Sequence, residues 1–167
     1  MDHLNWGVLG ASKFALEHLT PAMQLSKNNR FLALATRSKQ KAAPFVRLEP
    51  GIDVFDDYDQ LLADNRINAV YIPLPNTMHV DWTKRAIHAG KHVLCEKPIA
   101  MKSTEINELI ELRDKSGLTQ QTTLLNLLLL EQRGLVEDLY QLEDIYLDLL
   151  EHKQQEFKLL VLLLQVI

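Results

Sequence analysis

Three short stretches of the sequence hold residues whose types and spacing could do chemistry. The first is the turn "GVLGASKFA", in which Gly10, Ser12 and Ala15 form a G-x-S-x-x-A pattern. A turn that holds a dinucleotide needs glycine for the tight bend, a small residue where backbone nears the pyrophosphate, and another where helix packs on strand. Gly10 and Ala15 suit the first and third roles. Ser12 departs at the second, with a hydroxyl that can donate to phosphate and a side chain that takes up room. Glycine turns between strand and helix are common, so this one gains weight from its place. It follows the first strand and opens a helix whose free N–H groups favour anions.

The second stretch is "ATRSKQK". Where an NAD site carries an acid for the ribose 2′-hydroxyl, this chain has Thr36, Arg37 and Ser38, then Lys39 and Lys41. Hydroxyls and a guanidinium suit a 2′-phosphate, and no carboxylate is present to repel it. The pattern predicts NADP in preference to NAD; the alternative is a solvated, basic helix start. The third stretch is "HVLCEKPIA", where Glu96, Lys97 and Pro98 follow a strand pattern with no polar spacer. An ammonium and a rigid ring at the tip of a buried strand either serve a site or mark a surface lysine after an edge strand.

Elements must position these residues. "WGVLG", "FLALAT", "IDVFD", "INAVYIPLP" and "KHVLC" read as five strands, the fourth ended by prolines that remove ladder donors. Helical patterns lie between them over 15–25, 39–48 (interrupted by Pro44), 57–65 and 79–90, the last stopped by Gly90. "STEINELIELRDKSG" is a further helix, with Ser103 as N-cap, Glu105 in its first turn and Gly117 as its stop. Apolar strands alternating with amphipathic helices predict a doubly wound α/β domain, its parallel sheet covered on both faces. In such a fold the ligand sits beyond the carboxyl ends of the strands, where strand order reverses.

The totals bound the partners. A chain of 167 residues with 47% hydrophobic residues makes one domain, or one domain and an appendage. A net charge of −4 offers no nucleic-acid footprint. Cys95 is the only cysteine, which excludes an internal disulfide or a cysteine metal cluster and fits a reducing, cytoplasmic setting. The N-terminus shows no signal-peptide pattern. The longest apolar run, "LLVLLLQVI", is too short to span a bilayer, so a soluble chain without a membrane partner is expected. His88 and His92 have no acid spaced to complete a metal site, and Trp6, Tyr71 and Trp82 read as packing residues.

Taken in order, "WGVLGASKFA", "ATRSKQKA", "AVYIPLPNTMH" and "AGKHVLCEKPIA" resemble the Gfo/Idh/MocA family of nicotinamide-dependent oxidoreductases, over about Trp6 to Leu118. The opening is similar to the NADP-using sugar and dihydrodiol dehydrogenases of that family. The resemblance implies that Gly10, Ala11, Ser12, Lys13, Phe14 and Ala15 hold the pyrophosphate turn. Thr36, Arg37, Ser38 and Lys41 would hold the 2′-phosphate, and Pro73, Leu74, Pro75 and Asn76 would line the path from adenine to nicotinamide. His79 would face the same cleft, its alternative being a plain helix N-terminal residue. It also implies that Lys97 is the catalytic lysine, between Glu96 and Pro98 at the nicotinamide. An ammonium there hydrogen-bonds the substrate oxygen and stabilises alkoxide-like charge, and burial would make its proton easier to relay. The implied reaction is hydride transfer between the cofactor and a sugar, polyol or diol CH–OH group.

The family carries a second, substrate-binding domain, and here the resemblance stops. Residues 1–119 hold 15 Lys/Arg against 14 Asp/Glu, whereas 120–167 hold 3 against 8. The expected division is a Rossmann domain over 1–119 and a leucine-rich, acidic tail over 120–167. Leu135, Leu139, Leu142, Tyr146 and Leu149 are spaced as one helix face, broadened by Tyr140, Leu147 and Leu150. "TTLLNLLLL" could also stand in for a sixth strand. Two readings stay open for the tail: a helical appendage for self-association or partner recruitment, or the product of a truncated or frame-altered gene. The second is preferred. Both leave the chain a binder of NADP(H) whose own turnover is impaired, against a non-catalytic NADP(H)-binding or interaction protein.

Overall fold

The computed structural model describes residues 3–118 and 120–122. The leucine face expected from 135 to 149 lies outside the described residues. Six strands form one sheet: β1 (Leu4–Leu9), β2 (Asn29–Ala35), β3 (Asp53–Phe55), β4 (Ala69–Ile72), β5 (His92–Cys95) and β6 (Gln120–Thr122). Their order is β3-β2-β1-β4-β5-β6 and every pairing is parallel. The chain winds outward from β1 to β3, then crosses to β4 on the other side of β1. Strand order therefore reverses between β1 and β4, as a doubly wound fold requires. β6 takes the sheet three residues past position 119.

Period-2 alternation divides the core into two layers. Trp6, Val8, Tyr71 and Leu94 point to one face with Phe31 and Phe45; Leu9, Val70, Ile72, Val93 and Cys95 point to the other with Leu61 and Ile87. A register shift between Trp6 and Gly7 skips one residue of β2 and resets its alternation.

The helices are α1 (a π-helical turn Ala15–Leu19 running into an α-helix Thr20–Leu25), α2 (Lys39–Leu48), α3 (Tyr58–Ala63), α4 (His79–His88) and α5 (Ser103–Ser116). The π turn has a local cause. Pro21 has no N–H, and its ring would press on the carbonyl four residues back in a regular α-helix. Widening the turn before it removes that conflict, and the Thr20 hydroxyl and N–H both bond the Ala15 carbonyl. Pro44, expected to interrupt α2, does not: the helix runs through it, capped by Ser38 and anchored by buried Ala42 and Phe45. One lost backbone bond is outweighed by the buried face.

Helix ends largely follow local chemistry. Beyond α4, Gly90 adopts φ +74°, its N–H bonds Ile87 O, and the next N–H reaches Ala86 O, a Schellman ending. At α5 the N-cap is Lys102, not Ser103, which falls inside the first turn. The capping is done from within the helix, where the Glu105 carboxylate accepts the N–H groups of Met101 and Lys102 at 3.1 and 3.0 Å. Among the described residues no helix is long and apolar enough to cross a membrane.

Candidate functional site

The turn after β1 sits at the reversal of strand order. Gly10 is at φ +102°, and a Cβ there would lie 2.9 Å from Leu74 Cδ2, so only glycine allows the turn to lie this close to the loop after β4. The Ser12 hydroxyl accepts the N–H of Ala15 at 3.0 Å, which leaves its own proton to donate outward. Ala15 is buried against the sheet. Bend, small helix-packing residue and helix start thus meet the demands of a pyrophosphate.

A cleft opens beside this turn. Gly10, Ala11 and Ser12 form one wall, Thr36, Arg37, Ser38 and Lys41 a second, and Pro73, Leu74 and Pro75 a third. Thr36 is held by its N–H to Phe55 O and accepts the Ser38 N–H on Oγ1. Ser38 Oγ in turn accepts the Lys41 N–H and starts α2, so Thr36, Ser38 and Lys41 lie in one capped turn. Arg37 and Lys41 are exposed at the rim. No carboxylate lines the cleft among the described residues; Asp57, beyond β3, is turned to cap α3 through the N–H groups of Asp59 and Gln60.

Other expected residues lie apart from these walls. Lys13 points outward and pairs with Glu17 at 3.7 Å, and Phe14 meets His18 at a tilt of 45° with ring centroids 4.9 Å apart. Asn76 opens a short 3-10 turn, Asn76–Met78, beside a second depression shared with α5. Lys97 and Pro98, joined by a cis peptide bond, are exposed beyond β5. The burial expected to act on Lys97 is not supplied by the described residues. His79 is fully buried, its two ring nitrogens 2.7 Å from the carbonyl oxygens of Leu74 and Pro98. It lies behind the cleft, not in it.

Two residues of this region escaped the sequence. Tyr58, at the start of α3, lines the cleft and packs edge-on against Trp82 at 4.9 Å, with Arg85 over the Trp82 ring. Tyr71, read as packing, is buried on β4 and donates its hydroxyl to Glu96 at 2.5 Å. Burial, reinforced by that carboxylate, pushes the Tyr71 hydroxyl well above the usual phenol range. The pairing Ile72↔Cys95 brings the two side chains together, and this pairing was the only signal for it. Burial also pushes the Cys95 thiol up to about 12. His88 is exposed, with Nδ1 on Lys84 O, and burial lowers the His92 pKa. No group of three or more His, Cys, Asp or Glu among the described residues could hold a metal ion.

Residues 4–123 match the oxidoreductase family with an NAD-binding Rossmann fold. An uncharacterized oxidoreductase of Rhizobium meliloti is 43% identical over 118 residues, which are 70% of this chain and 35% of that one. An NADP(+) D-xylose 1-dehydrogenase of Haloferax volcanii is 37% identical over 68% of this chain and 35% of its own length. A solved 3-ketoreductase from Actinomadura kijaniata in complex with NADP is similar at a TM-score of 0.70 and 29% identity, over 84% of this chain and 44% of that one. The chain spans about a third of the length of the curated relatives it matches.

Proposed function

Because the chain belongs to the Gfo/Idh/MocA oxidoreductase family, we propose that its α/β domain binds NADP(H) in preference to NAD(H), in the cleft between the turns after β1, β2 and β4. One observation carries this reading: the cleft gathers the hydroxyls of Ser12, Thr36, Ser38 and Tyr58 with Arg37 and Lys41, and no carboxylate is among its lining residues. A 2′-phosphate meets donors and positive charge there, whereas a bare ribose would lack its acidic partner. The related enzymes that use or hold NADP support the same choice.

The reaction proposed for the site is hydride transfer to or from a CH–OH carbon of a sugar, polyol or diol. The bound nicotinamide supplies the hydride donor or acceptor. Lys97 hydrogen-bonds the substrate oxygen and stabilises the charge that develops on it, with Glu96 fixed beside it by Tyr71. Lys97 and Pro98 are exposed, so the described residues do not exclude water from that oxygen. Cofactor binding with little turnover is the expected behaviour of these residues alone. The division proposed for the chain is a cofactor domain followed by a distinct leucine-rich segment, with the boundary moved from the expected 119 to the end of β6 at residue 122.

Fluorescence titration of the purified 167-residue chain with NADPH, beside NADH, tests the reading. NADPH should bind at least tenfold more tightly, and Arg37→Ala should remove most of the difference, since a charge-assisted contact contributes roughly 1.5–3 kcal/mol. Equal affinities, or an Arg37→Ala chain that still prefers NADPH, would overturn the assignment of the 2′-phosphate.

A further inference from the structure

His79 is the one fully buried imidazole among the described residues, and both of its nitrogens face acceptors. A carbonyl oxygen cannot donate. A neutral imidazole has one N–H and one lone pair, so one of the two contacts would set lone pair against lone pair. Both separations, 2.7 Å, lie at the short end typical of hydrogen bonds from charged donors. Only a ring with a proton on each nitrogen satisfies this geometry.

We propose that His79 is an imidazolium that clasps the Pro73–Pro75 loop to the Lys97–Pro98 loop, and so acts as the positioning residue for Lys97. Nε2–H donates to Leu74 O and Nδ1–H to Pro98 O. Leu74 walls the dinucleotide cleft and meets the glycine turn, and the Pro98 carbonyl follows directly on Lys97. One ring therefore ties the cofactor wall to the element that bears the ammonium. Being without exposure, it does so without touching cofactor or substrate.

The ionisable side chains on the elements that meet at the ring are Tyr71 on β4, His92 and Cys95 on β5, Glu96 and Lys97 just beyond it, and Asp81, Lys84, Arg85 and His88 on α4. Lys102 and Glu105 stand where α5 approaches α4. Tyr71 and Glu96 are bonded to each other, and the buried Cys95 thiol stays neutral, its pKa raised to about 12. A ring with a single proton would make only one of the two ties and leave the other carbonyl without its donor.

The proposal rests on the reading above only for what Lys97 does; the clasp itself is tested without nucleotide. Nitrogen-15 NMR of the ring in the full chain should show a proton on each nitrogen at neutral pH. A single protonated nitrogen overturns the clasp. Backbone order parameters at Lys97 and Ile99 should fall in His79→Phe from about 0.85 to below about 0.6, and recover in part in His79→Gln, which keeps a donor. Unchanged order in His79→Phe, or no recovery in His79→Gln, counts against it. Should His79→Phe fail to fold, the nitrogen-15 spectrum of the unmutated ring and the order parameters of His79→Gln decide. Failure to bind NADPH with both ring protons present would remove the dinucleotide reading and leave the clasp standing.

Discussion

The Tyr71 hydroxyl, buried on β4, donates to the Glu96 carboxylate one residue beyond β5. Adjacent parallel strands make this possible: Ile72 pairs with Cys95, and the Glu96 N–H bonds the Ile72 carbonyl, so the residue that ends one strand is fixed to its neighbour. The acid that precedes Lys97 is thereby held by both backbone and side chain.

Tyr71→Phe keeps the ring in the core and removes only the donor. A hydrogen bond to a charged group contributes roughly 1.5–3 kcal/mol, so urea denaturation should show a loss of about that size. Removing the hydroxyl also unfastens the residue before Lys97. A Tyr71→Phe chain as stable as the original would mean that the bond contributes nothing net.

Cys95 predicts an alkaline effect. Burial raises its thiol from an ordinary 9.0 to about 12 in the folded chain. Above the unfolded value the unfolded chain releases this proton while the folded chain keeps it, so stability falls as pH rises between about 9 and 12. Urea midpoints across that range should decline less steeply in Cys95→Ala. Parallel slopes would rule the thiol out as a source of the decline.

Asp64 predicts the acid counterpart. Arg66 forks onto it, Nε to Oδ1 at 3.0 Å and Nη2 to Oδ2 at 2.6 Å, and this hydrogen bonding holds the Asp64 carboxyl below its usual range. The stability this provides is present above the unfolded carboxylate value and is lost as pH falls through the lower, folded one. Asp64→Asn should therefore flatten the acid limb of the stability profile. An unchanged acid limb would show that other carboxylates carry it.

Much of the site was legible because its signals are local. The glycine at the first turn and the hydroxyl and basic residues after β2 announce themselves within a few positions, and the sheet brings them to one cleft; Lys97, expected with them, lies outside its walls. What the sequence hid depends on contacts far apart in the chain. Tyr71 and Glu96 are 25 residues apart and meet only through strand pairing. His79 reads as a helix-start residue beside the cleft, yet it is buried, with the Leu74 and Pro98 carbonyls at its two ring nitrogens. Pro44 reads as a break because its cost is local, while the burial of Phe45 that outweighs it is not. The π turn before Pro21 is the opposite case, a local conflict that hydrophobic spacing alone does not register.

Gly10 joins fold to site most directly, and its replacement separates two costs. Gly10→Ala would place an alanine at φ +102°, at a cost of about 1–3 kcal/mol, and drive its Cβ to 2.9 Å from Leu74 Cδ2. Stability and NADPH affinity should both fall. Leu74→Ala relieves the contact but not the backbone, so Gly10→Ala should cost less in a Leu74→Ala background than alone. The remainder is the backbone term. A double-mutant cycle in urea denaturation, repeated with NADPH titration, measures both. Strict additivity would mean that the turn and the Leu74 wall do not press on one another, and that glycine is required at position 10 for its conformation alone.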